Sequence, residues 1–323
     1  MDNEETGRVL VLECPPGLHL GLDYCTWTAG ELVKGLKAVP VGAHYLYSSA
    51  GEDKEGGFVY IGKGTVAVRK WTKGLTRLDK EDEELFERAG SEGDFDLFLG
   101  DFPNSKAPLW RQLTQFLTPS LLARLTPAAP ELPTCPNYTL IPHHRVLHGM
   151  SASQITASNF DKSQILLEVL ARERITWECL IGELQYAFIS LLLGESLTGF
   201  EQWKSLLILL LSSPSALHSL PALYLSLIPV LYQQFLQLGD ISQDPFIQTS
   251  FIPRLTCDFL ALLADPTLQP ALYTRGQKLQ RLIGEIWGGF DSVEDDEDRP
   301  VVVELSQEQI DCLEGAVAAV DKQ

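Results

Sequence analysis

Between Thr126 and Asn159 the chain carries five prolines, Pro127, Pro130, Pro133, Pro136 and Pro142, among many small polar residues. Proline fixes φ and lacks an N–H, so a stretch this rich in it neither continues a helix nor sits inside a sheet ladder. The hydrophobic period differs on its two sides, and a chain of 323 residues has the length for about two domains. The predicted fold class is α+β with two domains. Residues 1–126 form a β-rich, sandwich-like N-terminal domain with capping helices, and 127–160 a Pro-rich interdomain connection, partly extended. Residues 161–289 form an all-α multi-helix domain, and 290–323 an extended C-terminal tail of acidic linker, strand and short helix.

The first part is punctuated by glycine and short β-prone runs. Val9 to Leu12 and Ala43 to Tyr47 are two of them, and Phe58 to Ile61 with Thr65 to Trp71 reads as a hairpin around Gly62-Lys63-Gly64. Val66 and Val68 share one face while Ala67 and Arg69 share the other, the period of a half-buried strand. After the charged run Asp79 to Glu84, the segments Phe95 to Leu99 and Leu109 to Leu125 look helical and are expected to cap the sheet.

From Asp161 the period becomes helical. Asp161 can cap a helix bearing Ile165, Leu166, Val169 and Leu170, and Trp177, Leu180, Ile181, Leu184, Phe188 and Leu191 line the next, which stops at Gly194. Phe200, Trp203, Leu207 and Leu210 continue to Ser213-Pro214. Leu220, Tyr224, Leu227, Leu231 and Phe235 run to Gly239, with Pro229 expected to kink that helix. Asp244-Pro245 and Asp265-Pro266 each set a capping carboxylate before a first-turn proline. The last helix carries Leu272, Leu279, Leu282 and Ile286 and stops at Gly288-Gly289. Five or six helices in antiparallel pairs follow, with no fixed repeat length.

The tail reads Pro300-Val301-Val302-Val303-Glu304-Leu305 after the acidic stretch Asp291 to Asp298. Consecutive valines favour a strand, but the acidic segment cannot fold alone. Either the strand returns to a sheet of its own chain or it adds to a sheet edge in another protein, where main-chain hydrogen bonds provide affinity. Val301, Val302, Val303, Glu304 and Leu305 are therefore the candidate partner-binding residues. Ser306 and Gln309 then form a capping box for a short final helix.

Composition removes several function classes. Hydrophobic residues at 45% and charged ones at 21% describe a globular chain. The net charge of −18 opposes direct contact with nucleic acid or an anionic membrane. The most apolar run, Leu206 to Leu211, is far short of the roughly 20 residues of a membrane span. The N-terminus, with Asp2, Glu4 and Glu5, shows no secretory signal, and Cys14, Cys25, Cys135, Cys179, Cys257 and Cys312 are scattered singly, as reduced thiols.

No local motif carries chemistry. Gly57 to Lys63 satisfies most of a phosphate-loop pattern, but Gly64 stands where Ser or Thr would hold magnesium and a strand follows instead of a helix. His143, His144 and His148 cluster without carboxylate or cysteine ligands at coordinating spacing, so a polar loop is the preferred reading over a metal site. Gly-x-Ser-x-Gly and His-Glu-x-x-His are absent.

Several ordered motifs carry a family resemblance. Gly21-Leu22-Asp23-Tyr24, Trp27, Lys34-Gly35-Leu36-Lys37, Pro40 to Tyr45, Arg69-Lys70-Trp71, Phe98 to Pro103 and Trp110 to Phe116 resemble the N-terminal domain of the Aar-two splicing factor family. Gly182 to Phe188, Phe200 to Lys204, Leu231 to Gln234, Ser242 to Phe246 and the Pro300 to Leu305 tail extend the similarity through the helical half. The resemblance implies a non-enzymatic assembly factor of the U-five small nuclear ribonucleoprotein, without cofactor, in cytoplasm and nucleus. Its members hold the core protein Prp-eight through its RNase-H-like and Jab/MPN domains, bridged by the tail strand, and keep the Brr-two helicase and spliceosomal RNA away. The connection here looks shorter than in longer members, and the resemblance does not extend to the helix from Gln307 onwards. The rival readings are a hydrolase with its active site at the domain interface and a helical trafficking adaptor.

Overall fold

The computed structural model describes residues 6–30, 34–50, 53–72, 74–77, 96–126, 136–144, 151–239 and 252–287. The β-prone runs become β1 (Thr6–Leu12), β2 (His19–Leu22), β3 (Cys25–Thr28), β4 (Gly35–Pro40), β5 (Gly42–Ala50), β6 (Asp53–Ile61), β7 (Val66–Trp71), β8 (Leu75–Arg77) and β9 (Leu99–Asp101). They make one sheet in the order β8-β7-β1-β4-β9 and another in the order β3-β2-β5-β6. β1 runs antiparallel to β4 and parallel to β7, so it is central and buried on both faces. Its Val9 and Val11 meet Leu20, Leu22, Leu46 and Ile61 of the other sheet, while Leu10 packs on the opposite face with Val66, Val68 and Leu99. That is why the strand reads as a continuous apolar run rather than an alternating one.

The expected hairpin around Gly62-Lys63-Gly64 does not form. β6 pairs with β5 along its whole length, from Gly42↔Ile61 to Ala50↔Asp53, whereas β7 pairs with β1 and β8. The turn therefore passes from one sheet to the other. It is closed by Gly62 N donating to Thr65 Oγ1 at 2.8 Å, with Gly64 at φ +69. Nor is β7 half-buried, because Ala67 packs against the core between the sheets while Val66 and Val68 are covered on the other side.

Two helical expectations also change. From Asp96 to Phe98 there is a single 3-10 turn, which leads into β9. Leu109 to Leu125 divides into α1 (Ala107–Thr114) and α2 (Pro119–Leu125), because Thr118 accepts from Leu121 N and Pro119 starts a new first turn. Within the Pro-rich connection the structure adds α3 (Ala152–Phe160), closed by a Ser151–Gln154 capping box. Its sequence lacks a strong apolar stripe, so periodicity does not reveal it.

The helical half comprises α4 (Ser163–Glu173), α5 (Trp177–Leu192), α6 (Leu197–Leu211), α7 (Pro214–Ser219), α8 (Pro221–Gly239), α9 (Ile252–Leu263) and α10 (Pro270–Trp287), seven among the described residues where five or six were expected. Pro229 lies inside α8. Asp265 does not start the last helix. Its carboxylate closes a local turn by accepting from Thr267 N at 2.8 Å, and α10 begins only at Pro270. Asp244-Pro245 lies outside the described residues, as do the acidic run, the tail strand and the helix from Ser306.

α5 is buried all round from Leu180 to Ser190, which places it at the centre of the packing. Ala43, Tyr45 and Phe58 of the second sheet belong to the same apolar core as the helices. The Phe58 and Tyr186 rings stack with centroids 4.3 Å apart. The second sheet is thus covered by the first sheet on one face and by helices on the other.

Candidate functional site

The sequence-predicted partner site, Val301 to Leu305, lies outside the described residues. Lys63 sits in the sheet-to-sheet turn, between two strands, so the loop-then-helix geometry that cradles phosphate is missing there. His143 is engaged through its carbonyl, which accepts from Lys162 Nζ at 2.8 Å, and His144 Nδ1 lies 2.9 Å from Asn159 Oδ1. His148 lies outside the described residues, and among those described no group of three or more His, Cys, Asp or Glu could hold a metal ion.

What the fold does assemble is a buried polar pin beneath a surface hollow. The β2–β3 turn holds Asp23 at φ 57, a conformation that Asp tolerates because its short polar chain bonds locally. From there the Asp23 carboxylate reaches His44 Nδ1 at 2.6 Å and accepts from Tyr45 N at 2.8 Å. His44 Nε2 lies 2.7 Å from the carbonyl of Pro40, which can only accept. Whether the proton between Asp23 and His44 sits on the carboxyl or on the ring, Nε2–H is therefore a donor. Burial pushes the Asp23 carboxyl up, while the His44 ring and the Tyr45 N–H oppose the shift. Trp110 of α1 stacks on His44 at 6.4 Å and donates its indole N–H to Ala43 O at 2.8 Å.

This geometry is poorly suited to proton transfer. A general base needs a free ring nitrogen facing a substrate, and both nitrogens of His44 are spent on the fold. Cys25 is the neighbouring nucleophile type, and burial together with the Asp23 charge raises its thiol, which disfavours the reactive thiolate. Above the pin, the β4–β5 corner and α1 enclose a hollow of about 200 Å³ with Val41, Tyr60, Trp110 and Arg111 on its walls.

A second polar knot joins the two halves. Glu183, fully buried in α5, accepts from Thr139 N at 2.6 Å, Thr139 Oγ1 at 2.8 Å and Gln202 Nε2 at 2.8 Å, and pairs with the Arg124 guanidinium of α2. Two residues on, Gln185 accepts from Phe116 N and donates to Gln112 O. The connection is therefore strapped to the central helix where it passes. Sequence reasoning assigned no role to Asp23, His44 or Glu183. The readable signal for Glu183 is that it is the one charged residue in the stretch Leu180 to Ser190 of a mostly apolar helix.

The comparisons with known proteins cover both halves. The model of the AAR2 N-terminal domain matches residues 5–127, and that of the AAR2 C-terminal repeat region matches 138–288. The chain is 26% identical to a protein named Protein AAR2 homolog from Mus musculus over 366 aligned positions, with 94% of each chain covered. It is 28% identical to that of Oryctolagus cuniculus, again with 94% of each covered. Against the homolog of Caenorhabditis elegans identity is 26%, covering 75% of this chain and 84% of the relative. The first alignment exceeds the 323 residues of this chain, so that relative carries residues it lacks. With its two domain models matched in order over most of its length, the chain belongs to the AAR2 family.

Proposed function

We propose that this protein is a non-catalytic assembly factor of pre-mRNA splicing that binds the core protein Prp-eight while the U-five small nuclear ribonucleoprotein matures. Its action is occupancy: bound to the RNase-H-like and Jab/MPN domains, it keeps the Brr-two helicase and spliceosomal RNA away until it leaves, in cytoplasm and nucleus. The observation that carries this reading is the match to both AAR2 domain models in one chain. The charge of −18 agrees with a protein partner rather than direct RNA contact. The tail strand Val301 to Leu305 adds to a partner's sheet edge, and as a bridge between two partner domains it raises the effective concentration of the second contact.

Co-purification with the two Prp-eight domains, separately and together, tests the reading. Binding is expected to be strongest with both, and truncation after Arg299 should lower it while leaving the fold intact. Capture of neither domain would sink the proposal. Strong hydrogen-exchange protection of residues 301–305 in the free protein would end the bridging part of it, since the strand would then belong to its own fold.

A further inference from the structure

The hollow between the β4–β5 corner and α1 opens at the protein surface, over the buried His44. Its walls mix apolar and polar groups, with Tyr60 and Val41 part-exposed at the lip, Trp110 buried at the back, and Arg111, Thr114 and Gln115 also lining it. It is preformed, because the Trp110 indole is fixed on Ala43 O and the His44 ring behind it is held at both nitrogens. A rigid pocket spares a ligand the cost of ordering it. At about 200 Å³ it is below the roughly 300–1,000 Å³ of sites for whole small molecules and suits one inserted side chain.

Charge narrows the occupant. The chain has 43 Asp and Glu against 25 Lys and Arg, yet no carboxylate lines this hollow. Arg111 stands on its wall without an ion pair or hydrogen bond among the described residues. Beyond Phe102 and Trp110 lies a second hollow of about 100 Å³, lined by the buried Asp23 and by the exposed Lys106, whose Nζ is 5.2 Å from the centre of the Tyr24 ring. Two cations thus flank the Trp110 wall of an otherwise acidic protein.

We propose that this hollow receives an apolar side chain from an acidic peptide segment of a protein partner, with a carboxylate of that segment on Arg111. A polynucleotide is the poorer occupant, because its affinity rests on many phosphate contacts and here two cations would work against a net charge of −18. The site is separate from the tail strand and does not depend on the splicing reading.

The test uses the full chain and fluorescein-labelled octapeptides in a Gly-Ser background with one Phe flanked by two Glu, two Gln or two Lys, beside an octauridylate. Polarisation should rank the Glu peptide first and the Lys peptide last, and the Trp110 indole N–H signal should shift on titration. Arg111→Glu, with an unchanged melting temperature, should weaken the Glu peptide about five- to tenfold and reverse the preference towards Lys. The milder Arg111→Gln should abolish discrimination between the Glu and Gln peptides. The proposal falls if Arg111→Glu leaves the ranking unchanged, if the Trp110 signal stays still, or if the octauridylate binds more tightly than the Glu peptide.

Discussion

Glu183 receives two hydrogen bonds from Thr139, one from its N–H and one from its hydroxyl, although 44 residues separate them. An extended, proline-bounded segment is thereby tied to the buried face of the central helix. Removing the carboxylate strands several donors at once, and breaking a buried charged network by deleting one partner costs about 3–5 kcal/mol. Glu183→Ala should lower unfolding free energy by about that much in urea titrations. Glu183→Gln, which keeps acceptor oxygen but turns an NH2 towards donors, should lie between Ala and wild type. An effect of Glu183→Ala below about 1 kcal/mol would show that the knot is solvated.

Gly182, next to Glu183, faces the α1–α2 junction. A Cβ there would lie 2.4 Å from the carbonyl oxygen of Phe116 and from Leu121 Cδ2. The backbone oxygen cannot step aside, so Gly182→Ala should destabilise by about 1–3 kcal/mol despite its better helix propensity. Thermal melting of the variant checks this, and an unchanged or higher midpoint would contradict it.

Burial raises the Asp161 carboxyl, but hydrogen bonds from Ser163 and Ser215 outweigh that and leave it below its ordinary value of 3.8. A lowered native value means that the unfolded chain binds the proton more readily. The contribution is therefore present above pH 3.8 and is lost as pH falls towards the native value. The stability gap between wild type and Asp161→Asn should be widest near neutrality and close in acid. A gap that widens in acid would reverse the assignment.

The acidic run bears on association kinetics. Exposed charges steer encounters over a Debye length of about 8 Å at physiological salt. Neutralising Glu294, Asp295, Asp296, Glu297 and Asp298 together should slow association with the Prp-eight domains at low salt and leave dissociation nearly unchanged in stopped-flow measurements. Equal association rates would reduce the run to a solvated linker.

Period and punctuation were enough to separate the halves. Alternating apolar residues identify strands and the 3.6-residue stripe identifies helices, so the strand at Val9 to Leu12 and the helices lined by Trp177 and Phe200 were legible. Local chemistry reached as far as the local environment did. Asp265-Pro266 has the form of a helix start, but its carboxylate was taken by Thr267, an outcome that neighbouring residues alone do not rank. Partnership was decided in three dimensions. Phe58 to Ile61 and Val66 to Trp71 are strands by pattern, yet nothing in a period of two says which strand lies alongside, and they entered different sheets. The same holds for the buried polar groups. Asp23 and His44 stand 21 residues apart, and Glu183 and Arg124 stand 59 apart. A hydrogen bond depends on distances of about 3 Å that only the packed chain sets. The sequence by itself determined that the first part is β-rich and the second helical and, through its ordered motifs, the family. The tertiary structure decided which strands pair, which charges are buried, and that Trp110 and Arg111 wall an open hollow.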